Sequence, residues 1–246
     1  MTQVIGHQGA PTRAPANTVA AFRAARAVGA DGVELDVRRT ADGRLAVSHD
    51  AHLPDGRALV DLPAAALPPD MPDLAAALDA CAGLALVNVE IKNWPADVDF
   101  DPDLAIAEQV AAVLDARPPA ERERFVVSCF HEPTVDRVRT AAPGLATAWL
   151  TLGFADPGAD VARLAAAGHA AVHPHHSAVD AEVVTLAHAA GLAVNTWTCD
   201  LPDRIRWLAD AGVDGIVTND PVLALEALGR GPAEPGDEAD EADEEE

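Results

Sequence analysis

Short apolar segments recur along the chain, and alanine-rich stretches with helical spacing separate most of them. Eight stand out: QVIGH (3–7), DGVELDV (31–37), LALVNVEIK (84–92), RFVVSCF (124–130), LATAWLT (145–151), HAAVHPH (169–175), LAVNTWT (192–198) and DGIVTND (214–220). TVAAFRAARAVGA (18–30), LAIAEQVAAVLDA (104–116), PTVDRVRTAA (133–142) and DRIRWLADAGV (203–213) read as helices between them. Gly29, Gly168, Gly191 and Gly212 close helical stretches ahead of the next apolar run, where a left-handed residue ends a helix.

Near-continuous apolar strands alternating with helices predict a parallel sheet covered on both faces. Eight such units in fewer than 230 residues point to an α/β fold of the TIM (β/α)8 barrel type. A doubly wound sheet is the alternative, but a G-x-G-x-x-G turn after the first strand is absent. RLAVSHD (44–50) follows the second run across the turn TADG and reads as a small hairpin addition beside strand two, outside the eight.

Composition refines this picture. At 246 residues and 49% hydrophobic content, the chain suits one large core. We read residues 1–228 as a single barrel domain and 229–246 as an acidic disordered tail. That tail holds nine acids and one arginine and so carries −8 of the net −23, leaving −15 on the body. An acidic body repels nucleic acid and anionic lipid, so neither is an expected partner. No apolar run reaches the length of a membrane span and MTQVIGHQGA does not resemble a secretory signal, so stable membrane insertion is not expected and a cytoplasmic location is. Cys81, Cys129 and Cys199 are odd in number and widely spaced, which argues for buried thiols rather than disulfides or structural zinc. Nothing in the pattern speaks to oligomeric state.

In a barrel the reactive groups stand where strands run into their following loops. Those positions hold His7 after strand one, Glu34 and Asp36 at the end of strand two, and His49 and Asp50 at the hairpin. They also hold Glu90 and Lys92 on strand three and Trp197 on strand seven. Glu34 and Asp36 lie two apart and share a strand face, as do Glu90 and Lys92. Carboxylates inside a strand are costly unless paired. Three of them suit a divalent metal of the hard class, Mg2+ or Ca2+, while pairing with Lys92 and arginines around the barrel mouth is the plainer use. Two histidines beside them have the right pKa range for acid and base work near neutrality. HPHHS (173–177) is interrupted by Pro174 and has no adjoining acid, so it does not read as a metal site. Phe130 and Trp149 read as core, and Asn17 or Thr18 as the cap of the first helix.

The stretch VIGHQGAPTRAPANTVAAFRAARAVGADGVELDVRRTADGRLAVSHDAHL (4–53) resembles the signature of the glycerophosphodiester phosphodiesterases. MPDLAAALDAC (71–81), VEIKN (89–93), GLAVNTWTCD (191–200) and GVDGIVTNDP (212–221) extend the resemblance over the chain except the tail. The resemblance implies a barrel enzyme that cleaves a glycerophosphodiester into sn-glycerol 3-phosphate and an alcohol. In it the substrate's own glycerol hydroxyl attacks phosphorus, and water opens the cyclic phosphate. It implies His7 and His49 as acid and base, Glu34, Asp36 and Glu90 as metal ligands, Lys92 on the phosphate and Trp197 beside the glycerol.

Two positions depart from the signature: Gln8 stands where the family has arginine, and Ala16 where it has glutamate. Three carboxylates, a divalent cation and Lys92 then sum to neutrality, without the excess positive charge an arginine adds for an anionic substrate. A neutral bond from Gln8 is weaker than a charge-assisted one by about 1 kcal/mol. Arg13, in the same loop, is a candidate to restore the charge. Three functions follow: the glycerophosphodiesterase; a lysophospholipase D-type or other phosphodiester activity in the same barrel, which the Gln8 change motivates; and a weakly active or non-catalytic phosphodiester or metal-binding protein.

Overall fold

The computed structural model describes residues 1–231; the acidic stretch 232–246 lies outside the described residues. Strands β1 (Gln3–Gly6), β2 (Gly32–Arg39), β3 (Leu45–Val47), β4 (Leu86–Ile91) and β5 (Phe125–Cys129) form the first half of one sheet. β6 (Ala146–Thr151), β7 (Ala171–Pro174), β8 (Ala193–Thr196) and β9 (Gly215–Thr218) complete it. β1 pairs in parallel with both β9 and β2, so the sheet closes, which excludes the doubly wound alternative. The eight parallel strands coincide with the eight apolar runs. β3 is the ninth, antiparallel to the end of β2 through Val37↔Val47, Arg38↔Ala46 and Arg39↔Leu45, as expected for the hairpin addition.

Helices α1 (Val19–Ala27), α2 (Leu74–Ala80), α3 (Ala105–Asp115), α4 (Pro119–Arg122) and α5 (Glu132–Ala141) flank the first half. α6 (Pro157–Ala167), α7 (Ala181–Ala189), α8 (Pro202–Asp210) and α9 (Pro221–Ala227) flank the second. Val33, Leu35 and Val37 of β2 and Val87, Val89 and Ile91 of β4 pack with Phe22, Leu74, Leu78, Val110 and Leu114 in the layer between barrel and helices. The alternate positions, Glu34, Asp36, Asn88 and Glu90, therefore face the barrel interior, buried but polar. Gly29, Gly168, Gly191 and Gly212 all have φ between 80 and 93°, the left-handed termini their positions suggested.

Past α9, the Arg230 guanidinium donates to both oxygens of Asp31 at 2.7 and 2.8 Å, so Gly229 and Arg230 belong to the folded body although composition places them in the tail. Among the described residues no helix is long and apolar enough to cross a membrane. All three cysteines are buried free thiols, and burial pushes Cys81 and Cys129 up to about 12 and about 11.

Candidate active site

The barrel's C-terminal mouth collects the residues singled out in the sequence. Glu34, Asp36 and Glu90 each offer an oxygen, and these atoms lie within 4.8 Å of one another. Register produces the cluster, because Asp36 stands directly beside Glu90 across the β2–β4 pair. Glu34 Oε1 and Asp36 Oδ1 are buried without a hydrogen-bond partner. Burial and the Asp36 and Glu90 charges raise the Glu34 pKa well above its usual value, and burial and Asp36 raise that of Glu90. Buried carboxylate oxygens without donors, converging from two strands, fit a hard divalent cation.

Lys92 lies one residue beyond β4, not inside it, and its ammonium donates to Glu90 Oε1 at 2.7 Å and stands 3.4 Å from Asp36 Oδ1. Burial opposes its charge, yet the Glu90 and Asp36 carboxylates prevail and raise its pKa.

Gln8 is part of the cluster. Its backbone N–H donates to Glu34 Oε2 at 3.0 Å and its side-chain amide to Asp36 Oδ2 at 2.7 Å. Asn17 donates to the same Asp36 oxygen at 2.8 Å and accepts from the Asp36 backbone N–H at 3.2 Å. Gln8 and Asn17 both hold left-handed backbones, φ 54 and 58°, and the Asn17 N–H closes on the Gln8 carbonyl at 3.0 Å. Non-glycine residues in that region carry strain, here spent where the backbone wraps two carboxylates. Thr18, not Asn17, caps α1, accepting from Ala21 N at 3.2 Å. Close packing forces the neighbouring glycine, since a Cβ on Gly9 would lie 2.6 Å from the Ala21 carbonyl carbon. Arg13 is exposed and has no ion pair or side-chain hydrogen bond among the described residues, so the structure does not bring it to the site.

His7 follows β1, with Nδ1 2.7 Å from Asn219 Oδ1. Asn219 donates its backbone and side-chain N–H groups to Asp200 at 2.8 and 2.7 Å, which turns the amide oxygen toward His7. His7 Nδ1 is therefore the protonated nitrogen, leaving Nε2 free 3.8 Å from Glu34 Oε2. His49 follows β3 at the rim, with Nδ1 2.8 Å from Asp50 Oδ1 and its side chain half exposed. The bond to His49 holds the Asp50 carboxyl below its usual pKa.

A cavity of about 280 Å³ opens beside the cluster, lined by His49, Glu90 and Lys92 together with Trp94, Phe130 and Leu152. Phe130 thus faces the site rather than the core. Trp197 lies one residue past β8; its indole donates to the His173 carbonyl at 2.7 Å and its ring meets Phe130 edge-on, with centroids 5.3 Å apart. It belongs to an aromatic wall adjoining the cavity. His173 is buried inside the barrel against Asn195, and burial lowers its pKa to about 3. A larger cavity, about 580 Å³, lies at the opposite barrel end among Thr2, Arg206, Asp214 and Arg230 and contains none of these groups.

Asn17, Asn219, Asp200 and Trp94 escape a reading of the sequence alone. Asn17 has the look of a helix cap, and Asn219 stands 212 residues from His7. The only local sign is that Asn219 directly follows the last strand, the position where barrels place reactive groups.

The fold and this mouth define a (β/α)8-barrel protein that gathers three buried carboxylates, a lysine and two histidines at the strand ends. The profile of the glycerophosphoryl diester phosphodiesterase family matches residues 7–223. The chain belongs to that family, and with it to the phosphodiesterases. It is 28% identical to a glycerophosphodiester phosphodiesterase of Caldanaerobacter subterraneus subsp. tengcongensis, covering 94% of this chain and 99% of the other. An Oleispira antarctica phosphodiesterase solved in complex with the product sn-glycerol-3-phosphate superposes with a TM-score of 0.80 at 23% identity, covering 93% and 97% of the two chains. A Thermotoga maritima glycerophosphodiester phosphodiesterase gives 0.78 at 23% identity, covering 94% and 99%. These two likenesses are of fold.

Proposed function

We propose that the protein hydrolyses glycerophosphodiesters to sn-glycerol 3-phosphate and an alcohol, using His7 and His49 for proton transfer around a divalent cation, Mg2+ or Ca2+. The observation that carries this is the pairing of three buried carboxylates, two with donor-less oxygens, with two histidines whose Nδ1 atoms are already engaged. The match to the glycerophosphoryl diester phosphodiesterase family and the likeness to the Caldanaerobacter enzyme support the substrate class.

Glu34, Asp36 and Glu90 would hold the cation, which when bound supplies positive charge to a phosphoryl oxygen. His7, oriented through Nδ1 by the Asn219–Asp200 pair, takes the proton of the attacking glycerol hydroxyl on Nε2. His49, at the exposed rim, gives a proton to the departing alkoxide. With the cyclic phosphate formed, the same pair serves in reverse as water opens it. Lys92 stabilises the charge that builds on the equatorial oxygens. Gln8 and Asn17 fix Asp36, so Gln8 contributes to ligand geometry where an arginine would also contribute charge.

The test is release of glycerol 3-phosphate from glycerophosphocholine in EDTA and after restoring Mg2+ or Ca2+, with His7→Ala beside the native chain. Metal-dependent release lost in His7→Ala is the expected result; no release under any metal refutes the reading. A second substrate class is favoured by the apolar part of the cavity lining, where Trp94 and Leu152 are 49% and 71% exposed. A phosphodiester carrying an acyl chain, cleaved in the manner of a lysophospholipase D, would cover them. Turnover of lysophosphatidylcholine faster than glycerophosphocholine would select it.

A further inference from the structure

Arg38 lines the same cavity as His49 and Lys92, and the reaction outlined above leaves it unused. It stands where β2 outruns the barrel: the β2–β4 pairing ends at Val37↔Ile91, and Arg38 and Arg39 pair only with β3. Its side chain is 5% exposed. Its Nε donates to the His49 carbonyl at 2.8 Å, Nη1 to both Asp99 oxygens at 2.7 and 2.8 Å, and Nη2 to Asp97 at 3.0 Å. All three nitrogens of the planar fork are therefore engaged, in a geometry lysine cannot copy.

The bonds join two separate pieces of chain to one guanidinium. One is the turn after β3, where His49 itself has a half-exposed side chain bonded, among the described residues, only to the still more exposed Asp50. The other is the loop between β4 and α3, which carries Trp94 to the cavity and is also tied to β2 by Arg39 and Asp101 at 3.3 Å. Two carboxylates, one of them with its side chain only 3% exposed, face a single guanidinium, so the group as a whole is negative. Arg38 thus does not restore the charge absent at Gln8, although it borders the cavity beside Lys92.

We propose that Arg38 is a positioning residue for His49, locking its backbone to the β4–α3 loop so that the imidazole stands at the site, and that it does not bind the phosphate. This rests on His49 being a proton-transfer group. Displacing such a group by about 1 Å costs up to about a hundredfold in rate, so the effect belongs in kcat.

The experiment measures kcat and KM for glycerophosphocholine at saturating metal for the native chain, Arg38→Lys, Asp99→Asn and His49→Ala, and for each of the first two combined with His49→Ala. Thermal unfolding confirms that each is folded, and Asp99→Asn carries the test should Arg38→Lys not fold. Expected is a fall in kcat of about ten- to a hundredfold in Arg38→Lys and Asp99→Asn with KM within about twofold, and no further loss when either is added to His49→Ala. A phosphate-binding Arg38 predicts the opposite: KM falls in Asp99→Asn, which frees a cation, and rises in Arg38→Lys with kcat unchanged. Losses that add fully in the His49→Ala background also overturn the proposal, because they do not pass through His49. A fully active His49→Ala instead overturns the role of His49 itself.

Discussion

Replacing Glu34 by glutamine separates a cation site from a mere cluster of paired acids. The three carboxylates offer atoms within 4.8 Å of one another, and at an effective dielectric constant near 20 two unit charges at that distance repel by about 3.5 kcal/mol. Lys92 contacts Glu90 and Asp36, leaving Glu34 the least compensated. Without a cation the folded site relieves this repulsion by binding protons, which is why burial and the two neighbouring carboxylates raise the Glu34 pKa. The folded protein then holds protons that the unfolded chain releases near 4.5. The contribution of these two carboxyls to the metal-free fold is accordingly fully present below that pH and is lost as pH rises through the raised values. Glu34→Gln keeps an oxygen for the Gln8 N–H and removes the charge. At neutral pH in EDTA it should stabilise the fold by about 1–3 kcal/mol, or about 2–10 °C in midpoint for a domain of this size. Saturating Mg2+ or Ca2+ at about a hundred times its Kd should stabilise the native chain by about 2.7 kcal/mol and the variant far less. Calorimetry with and without metal across pH 5 to 8, on the order of the usual working range, reads both effects. A variant less stable than the native chain in EDTA, or an equal response of both to metal, refutes the cation site.

Three further outcomes follow from the same geometry. His7→Ala and His49→Ala should each lower kcat by about 10²- to 10⁴-fold while keeping the metal-dependent rise in unfolding temperature, since neither residue belongs to the carboxylate cluster; loss of that rise would make them ligands. Gln8→Arg should lower KM for glycerophosphocholine about fivefold, the value of about 1 kcal/mol from a charge-assisted bond, whereas Arg13→Ala should leave kcat/KM unchanged; a loss in Arg13→Ala would bring that exposed residue into the site. Gly9→Ala should destabilise the fold by at least about 2 kcal/mol, because φ is 92° and the new Cβ would meet the Ala21 backbone at 2.6 Å. Native-like unfolding of this variant would show that the loop yields.

The barrel was legible because its signal is local and repeated. Each strand must bury apolar residues under a helix, so eight runs and their intervening helices are written into short windows. The charged residues inside β2 and β4 were legible for the opposite reason: Glu34, Asp36 and Glu90 interrupt those runs at the period of a strand, where burial without purpose is costly. The residues that orient them were not. Asn17 bonds Asp36 from a position that also suits a helix cap, and Phe130, apolar at a strand end, has no mark to distinguish a cavity wall from core.

By itself, then, the sequence determined the closed alternating architecture, the cation-ligand and histidine candidates, and the absence of arginine at position 8. Only the tertiary structure decided that Gln8 turns its amide onto Asp36, that Arg13 stays away, and that Asn219 and Asp200 select the protonated nitrogen of His7. Such partners meet because β1 lies between β2 and β9, bringing chain ends more than two hundred residues apart into one ring. Periodicity along the chain records which face a residue takes, whereas its neighbour across the barrel is set by closure and register.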